Sequence, residues 1–135
     1  MRHVHDVLHH DHAIVSWSDS ADVALGRMGR LGRDELAVVD GSNVIGLCHR
    51  DILLAHQARG SWLGSIAVVD VMRRGPFWCH EEDGHDHVRS VMDRLKTDTL
   101  AVLDKDGRVI GTIHRSQLDS EPRAARTRRL ESAMS

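Results

Sequence analysis

Two short apolar segments recur along the chain in the same order, each followed or preceded by polar residues. LAVVD at 36–40 reappears as LAVLD at 100–104, a shift of 64 residues. Further on, VIGLCHRDIL at 44–53 reappears as VIGTIHRSQL at 109–118, a shift of 65. The extra residue falls in the polar turn between the two segments, where an insertion costs little. The pattern therefore predicts two copies of one structural unit.

Each copy has the apolar periodicity of a short α/β unit in the order strand, helix, strand, strand, helix. Asp19 or Ser20 is a suitable N-cap for the first helix. A Gly/Asn or Asp-Gly turn suits a hairpin between the two middle strands. The predicted elements of the first copy are a strand near Ala13–Ser16, a helix whose apolar face is Val23, Ala24, Met28 and Leu31, strands Leu36–Val39 and Val44–Cys48, and a helix from about Arg50 to Gln57. Those of the second are a strand near Phe77–His80, a helix with Val88, Val91, Met92 and Leu95 on its apolar face, and a last helix from about Arg115 to Leu118.

One such copy is too small to bury its own sheet, so the two copies are expected to pack together with pseudo-twofold symmetry. The predicted organisation is a first repeat over 1–60, a second over 61–121 and a flexible Arg-rich tail over 122–135, with a linker at 59–64. The side chains expected to be buried are Met28, Leu31, Val38, Met92, Leu95 and Val102.

Composition narrows the class of protein. Hydrophobic residues make up 41% of the 135 residues and the formal net charge is −2, which is typical of a globular chain and lacks the basic excess of a general nucleic-acid binder. No apolar run has membrane-spanning length, and the polar, His-rich start is not a signal peptide. Two cysteines, Cys48 and Cys79, cannot form a disulfide framework and are interpreted as buried thiols. We expect a cytoplasmic protein with no nucleic-acid or membrane partner.

Candidate chemistry is sparse. The chain has no nucleophile elbow, no Walker-type phosphate loop and no matched pair of carboxylates, so we expect no catalytic residues and no enzyme activity. Eleven histidines raise the question of a metal. His5 and His9, at i, i+4 spacing if they lie on a helix, are weak candidates for sharing one. A solvated His-rich end is the favoured interpretation.

The repeated His-Arg pair is the most informative polar feature. His49-Arg50 and His114-Arg115 each stand where a strand ends and a helix begins. Backbone N–H groups favour an anion there, and an Arg fork matches a phosphate. The alternative is that the arginines are solvated and each His caps its helix.

The chain resembles the CBS-domain family, the cystathionine-β-synthase-type repeats that pair into a Bateman module. The resemblance covers about residues 4–120. It is carried by HDVL at 5–8 and VDVM at 69–72, VSWSDSADVAL at 15–25, LAVVD and LAVLD, and VIGLCHRDILL and VIGTIHRSQL. It implies a regulatory module, commonly a homodimer, that binds adenine-containing ligands such as AMP, ADP, ATP or S-adenosylmethionine in clefts between the repeats.

The resemblance also assigns site positions. Gly46 and Gly111 match the family's ribose and phosphate motif. His49 and His114 replace its Thr or Ser, Ile52 and Gln117 replace its ribose-binding Asp, and Asp51 lies one place early. Ala37 and Ala101 lie where the family's strand faces the cleft and leave room for a base. Trp78 could stack on a base, although packing is the favoured role. The expected ligand-binding residues are thus His49, Arg50, Asp51, Ala37, His114, Arg115, Ala101 and Trp78.

Three functions are consistent with these residues. The preferred hypothesis is a stand-alone sensor that binds a small phosphorylated or adenosyl ligand, needs no cofactor and signals to a partner protein. The second is a protein-interaction module with degenerate clefts, favoured by the missing Asp. The third is His-dependent metal sensing. Dimerisation is expected through the helices carrying Met28 and Met92, or through the last helices.

Overall fold

Residues 13–119 are described in the computed structural model and form two units with the predicted order of elements. The first unit comprises β1 (Ile14–Ser16), α1 (Ala21–Leu31), β2 (Glu35–Asp40), β3 (Asn43–His49) and α2 (Arg50–Ala58). The second comprises β5 (Trp78–His80), α3 (His85–Leu95), β6 (Thr99–Leu103), β7 (Val109–His114) and α4 (Arg115–Asp119). Ser20 is the N-cap residue of α1, but its side chain makes no capping hydrogen bond. The mixed α+β class is confirmed.

The segment between the units is more structured than the predicted linker. It contains two 3₁₀ turns, Leu63–Ser65 and Val68–Asp70, and a two-residue strand, β4 (Arg73–Arg74). β4 pairs antiparallel with β3, so the first sheet has the order β1-β2-β3-β4 and the second the order β5-β6-β7. Gly46 permits this pairing, because a Cβ there would lie 2.6 Å from the carbonyl oxygen of Arg73. Residues 63–74 thus pack with the first sheet.

Apart from β4, the strands of the two sheets pair in the same registers. β1 is parallel to β2 with Ile14 opposite Ala37, and β5 is parallel to β6 with Trp78 opposite Ala101, each 64 positions later. Both antiparallel hairpins carry a register shift at the same place, between Val38 and Val39 and between Val102 and Leu103. The duplication predicted from the sequence is confirmed by these registers.

The core consists of two clusters that meet between the sheets. Met28 and Val38 are buried in the first and Met92 and Val102 in the second, as predicted, whereas Leu95, also predicted to be buried, is only partly buried against the second. The prediction for Leu31 is wrong, since 37% of it is exposed. It lies in the last turn of α1, next to the left-handed Gly32 that ends the helix, and the buried face runs instead through Ala21, Ala24 and Met28. The sequence also predicts Val23 on this face, and that prediction is wrong as well, since 41% of Val23 is exposed.

Backbone and side-chain contacts join the two units. β2 contacts β6, and Leu47 of β3 packs in the second cluster. Val109 N–H donates to the carbonyl of Ser42 at 3.1 Å, and Ala13 N–H donates to Thr112 Oγ1 at 3.3 Å. The first ends of β2 and β6 also lie close together, because Glu35 at the start of β2 accepts from Thr97 Oγ1 at 3.1 Å and Asp98 N–H at 3.0 Å, just before β6.

Two further features concern the described residues as a whole. Cys48 and Cys79 are free and buried, and desolvation raises the pKa of Cys48 to about 11 and that of Cys79 to about 12. No helix within residues 13–119 has the length and apolar character needed to cross a membrane.

Candidate functional site

A polar cleft lies where β2 begins and β3 and β7 end. Its volume is about 230 Å³, and we refer to it as the central cleft. Both units contribute, because the internal repeat places the same strand ends on either side of the pseudo-twofold axis. Its lining residues are Asp34, Glu35, His49, Arg50, Asp51, Asp98 and His114. Four of the eight predicted ligand-binding residues therefore line one cleft, from the two His-Arg segments.

Glu35 is the residue at the centre of the cleft that sequence reasoning missed. Its Oε1 accepts the backbone N–H of Asp98 at 3.0 Å, and its Oε2 accepts the hydroxyl of Thr97 at 3.1 Å. His49 Nδ1 lies 3.1 Å from the same Oε2. A carboxylate with these partners tolerates burial. One signal was available in the sequence, because position 99, the repeat equivalent of Glu35, is Thr.

The ring of His49 has a partner on each nitrogen. Arg73 Nη1 lies 3.0 Å from His49 Nε2, and because a guanidinium can only donate, Nε2 accepts and Nδ1–H donates to Glu35. The pKa of His49 is lowered, mainly by burial and also by the charge of Arg73, while Glu35 and Asp51 oppose the shift. Arg73 also donates to the carbonyls of Leu95 (3.1 Å) and Lys96 (3.4 Å) at the end of α3. His49 is therefore a neutral ring held between Glu35 and Arg73, and these two residues make the bonds to the second unit.

His114, the repeat equivalent of His49, is held differently. Its Nδ1 accepts the backbone N–H of Ser116 at 3.2 Å and lies 2.8 Å from Ser116 Oγ. The remaining proton is then on Nε2. Burial and the charge of Arg33 lower the pKa of His114, and Asp98 and Glu35 oppose them. Gln117, in the family's Asp position, accepts the backbone N–H of His114 at 2.6 Å and so stabilises the start of α4.

The two arginines of the repeated pair have different surroundings. Arg50 lies 3.6 Å from Asp34, and half of its side chain is exposed. Arg115 contacts Asp93 at 2.9 Å and Asp98 at 2.8 Å, and it donates to the carbonyl of Thr97 at 3.3 Å. These bonds raise the pKa of Arg115. Arg50 is accessible to a ligand, whereas the guanidinium of Arg115 is bonded to residues of the second unit.

The predicted base-contacting residues lie away from the lining of the cleft. Ala37 and Ala101 are fully buried in β2 and β6. Neither alanine offers surface to a base in this arrangement. Trp78, opposite Ala101, is 37% exposed on β5.

The metal-ligating side chains of the described residues do not converge on one point. Within residues 13–119, no group of three or more His, Cys, Asp or Glu side chains is placed to hold a metal ion. The candidates His5 and His9 lie outside the described residues.

Comparison with known proteins agrees with the geometry. Residues 68–121 match the family model of the CBS domain. The chain is also 30% identical over 100 residues to an inosine-5'-monophosphate dehydrogenase of Korarchaeum cryptofilum. That match covers 73% of this chain and 20% of the relative, so the chain spans a fifth of the length of the curated relative.

Solved structures of similar fold cover nearly the whole chain. The CBS-pair protein CBSX2 of Arabidopsis thaliana has a TM-score of 0.76 and 24% identity, covering 94% of this chain and 96% of its own. A CBS domain pair/ACT domain protein of Thermotoga maritima has a TM-score of 0.74 and 21% identity over 99% of this chain and 100% of its own. The CBS domain pair of protein MJ0100, in complex with 5'-methylthioadenosine and S-adenosyl-L-methionine, has a TM-score of 0.72 and 21% identity over 87% and 97%. Residues 68–121 are thus a CBS domain, and the chain has the fold of a CBS-domain pair.

Proposed function

We propose that this chain is a regulatory CBS-pair module that binds a small adenosyl ligand at the central cleft and signals the binding to a partner protein. The observation that carries the proposal is the cleft itself, which is lined from both repeats by polar side chains. A ligand there contacts both units at once, and can therefore change how they sit against each other.

The size and charge of the cleft limit the ligand. A volume of about 230 Å³ is below the range of about 300–1,000 Å³ for sites that enclose a drug-sized ligand. The cleft accordingly takes the polar end of a ligand, with the rest of the molecule lying outside it. Arg50 and His114 are the accessible donors. A CBS domain pair of the same fold binds 5'-methylthioadenosine and S-adenosyl-L-methionine, which supports the adenosyl class.

Signalling follows from where Glu35 and Arg73 are bonded. Both residues belong to the first sheet and both bond to the second unit. Glu35 accepts from Asp98 N–H and from Thr97 Oγ1. Arg73 donates to a carbonyl at the end of α3. A ligand that competes for His49 or Asp98 N–H weakens this link. We propose that this weakening changes how the two units pack and that a partner protein recognises the change. The module itself has no catalytic role in this proposal.

A second function has its own support. His49 and Arg115, two of the predicted ligand contacts, are already fully bonded within the chain. A cleft satisfied by its own side chains is what a pure interaction module would have. In that case a partner protein would bind to the helices rather than to the cleft.

The dimer interface that we propose is the outer face of α1 together with α2. Met28 and Met92 are buried and cannot contact a partner. Val23, Leu31 and Leu54 are exposed apolar residues of α1 and α2, whereas the exposed residues of α3 are polar. A homodimer through the first unit would cover those apolar side chains.

A thermal-shift series separates the two functions. The melting temperature of the full chain is measured with adenosine, 5'-methylthioadenosine, S-adenosylmethionine, AMP and ATP at millimolar concentration. The sensor proposal expects at least one adenosyl compound to raise it, since ligands that bind only the native state stabilise it, and expects guanosine analogues to act less. A series without any shift would support the interaction module.

A further inference from the structure

The guanidinium of Arg73 joins the ring of His49 to the end of helix α3. Its Nη1 lies 3.0 Å from His49 Nε2 and 3.4 Å from the carbonyl oxygen of Lys96. Its Nη2 donates to the carbonyl of Leu95 at 3.1 Å. One nitrogen of Arg73 therefore serves both the ring in the first unit and the helix end in the second, so a movement of Nη1 away from the ring changes the bond to Lys96 as well.

The end of α3 has a backbone conformation that its residue disfavours. Lys96 ends the helix in the left-handed region, with φ at 54°, whereas the equivalent residue of the first unit, 64 positions earlier, is Gly32. Glycine adopts this conformation readily, and a residue with a Cβ does not. Arg73 supplies donors to the last carbonyls of the helix, which have no partner within it. The bonds from Arg73 thus stabilise a helix end that is easily disturbed.

The bond between Arg73 and His49 exists only while the ring is neutral. A guanidinium donates and does not accept, so Nε2 has to offer its lone pair to Nη1. A proton on Nε2 places two donors and two positive charges face to face, and the bond is lost. The other ring nitrogen behaves in the opposite way. Nδ1–H donates to Glu35 Oε2 at 3.1 Å, and this attraction increases when the ring is charged.

The ring of His49 is open to protonation in the folded protein, because it lines the central cleft and 19% of its side chain is exposed. Burial, aided by the charge of Arg73, lowers the pKa of His49, while Glu35 and Asp51 oppose the shift. The ring is therefore neutral at pH 7 and takes up its proton in mild acid. The other charged or titratable residues that line the cleft beside it are Asp34, Arg50, Asp98 and His114.

We propose that the contact between His49 and Arg73 is a proton-sensitive switch in the packing of the two units. Protonation at Nε2 displaces Arg73 from the ring and loosens its bonds to the end of α3, while Glu35 stays bonded to the ring and to the second unit. One of the two connections between the units is thereby weakened and the other is kept. The proton is an input separate from any adenosyl ligand.

The repeat supplies an internal control for this switch. His114 Nδ1 accepts the backbone N–H of Ser116 at 3.2 Å and lies 2.8 Å from its hydroxyl oxygen, so these bonds stay within the second unit. Burial, followed by the charge of Arg33, lowers the pKa of His114 as well. His114 therefore takes up a proton in mild acid too, but the bonds that it changes do not join α3 to the first unit.

The test is nuclear magnetic resonance of the ligand-free full chain between pH 7.5 and pH 5, with the ring of His49 followed beside three backbone amides. We expect the Lys96 and Thr97 amides to shift with the same midpoint as the ring. Thr97 N–H, which donates to the carbonyl of Met92 at 3.0 Å, should lose hydrogen-exchange protection several-fold as the helix end loosens. Asp98 N–H, bonded to Glu35 at 3.0 Å, should keep its protection.

Four variants separate the switch from a general effect of acid. His49→Asn should make the Lys96 amide insensitive to pH in this range, and the matched control His114→Asn should keep the wild-type response. Arg73→Gln should raise the pKa of His49, since the ring loses a positive neighbour and a donor to its neutral form, and should uncouple Lys96 from the ring. Glu35→Gln should lower the same pKa, because it removes the charge that favours the protonated ring.

The wild-type titration decides the proposal even if a variant fails to fold. Lys96 and Thr97 amides that do not move while the ring of His49 titrates would overturn it. So would a ring that takes up its proton only when the whole chain unfolds, or a response that is lost in His114→Asn. Since no ligand is present, the result does not depend on whether an adenosyl compound binds at the cleft.

Discussion

The guanidinium of Arg73 and the ring of His49 meet at 3.0 Å, Nη1 to Nε2, on the side of the ring opposite Glu35. Arg73 also covers the last carbonyls of α3 and lies 5.0 Å from the centre of the Phe77 ring. One side chain from the edge strand of the first sheet thereby contacts the site, the second helix layer and the second core. Its neighbour on the same strand, Arg74, is exposed.

Arg73→Ala should destabilise the protein. Three hydrogen bonds are lost, and the α3 carbonyls lose a donor, so we expect a decrease of roughly 1–3 kcal/mol in the free energy of unfolding. Arg74→Ala is the matched control and should stay within about 0.5 kcal/mol of the wild type. Urea denaturation monitored by tryptophan fluorescence measures both. Equal stability of the two variants would show that Arg73 does not link the units.

The repeated arginines should differ in the same assay. Arg115→Ala removes contacts to Asp93, Asp98 and Thr97, and we expect a loss of about 1 kcal/mol, discounted because surface ion pairs are screened. Arg50→Ala breaks only a 3.6 Å contact with Asp34 between exposed side chains and should cost less than about 0.5 kcal/mol. A larger loss of stability for Arg50→Ala than for Arg115→Ala would contradict the view that Arg115 is structural and Arg50 is accessible to a ligand.

Much of this arrangement was predictable from the sequence, because the repeat is local and periodic. The two LAV(V/L)D segments became β2 and β6, and both His-Arg pairs fell at strand-to-helix junctions. The contacts that decide the site were not predictable. Glu35 acts on residues 62 and 63 positions away, and Arg73 on a residue 24 positions away, so their roles depend on how the sheets pack. Leu31 was misplaced for a local reason, since helical spacing does not show where the helix leaves the core.

The lowered pKa values predict a loss of stability in mild acid. The native pKa of His49 and that of His114 lie below the ordinary value of 6.5, so the unfolded chain binds protons first as the pH falls. The stabilising contribution is complete above pH 6.5 and is lost as the pH falls towards the native pKa values. His49→Asn should reduce the fall in melting temperature between pH 7 and pH 5. His80→Asn, at an exposed ring, is the control and should keep the wild-type slope.

A single charged substitution on α1 tests the proposed dimer interface. Leu31→Asp places a carboxylate on the exposed apolar side of α1 and should shift the protein from dimer to monomer in light scattering at micromolar concentration. Ser90→Asp introduces the same charge on the exposed, polar side of α3 and should leave the dimer intact. A wild-type protein that is already monomeric would contradict the interface, as would dissociation by Ser90→Asp alone.

The central claim is that an adenosyl ligand binds at the cleft shared by the two repeats. Isothermal titration calorimetry of the wild type and of Arg50→Ala, with 5'-methylthioadenosine, S-adenosylmethionine and AMP, tests it most directly. We predict saturable binding of at least one ligand to the wild type. For AMP, whose phosphate can contact Arg50, we predict an affinity about tenfold lower in the variant, since a charge-assisted contact is lost. Flat titrations with all three ligands at millimolar concentration would contradict the account.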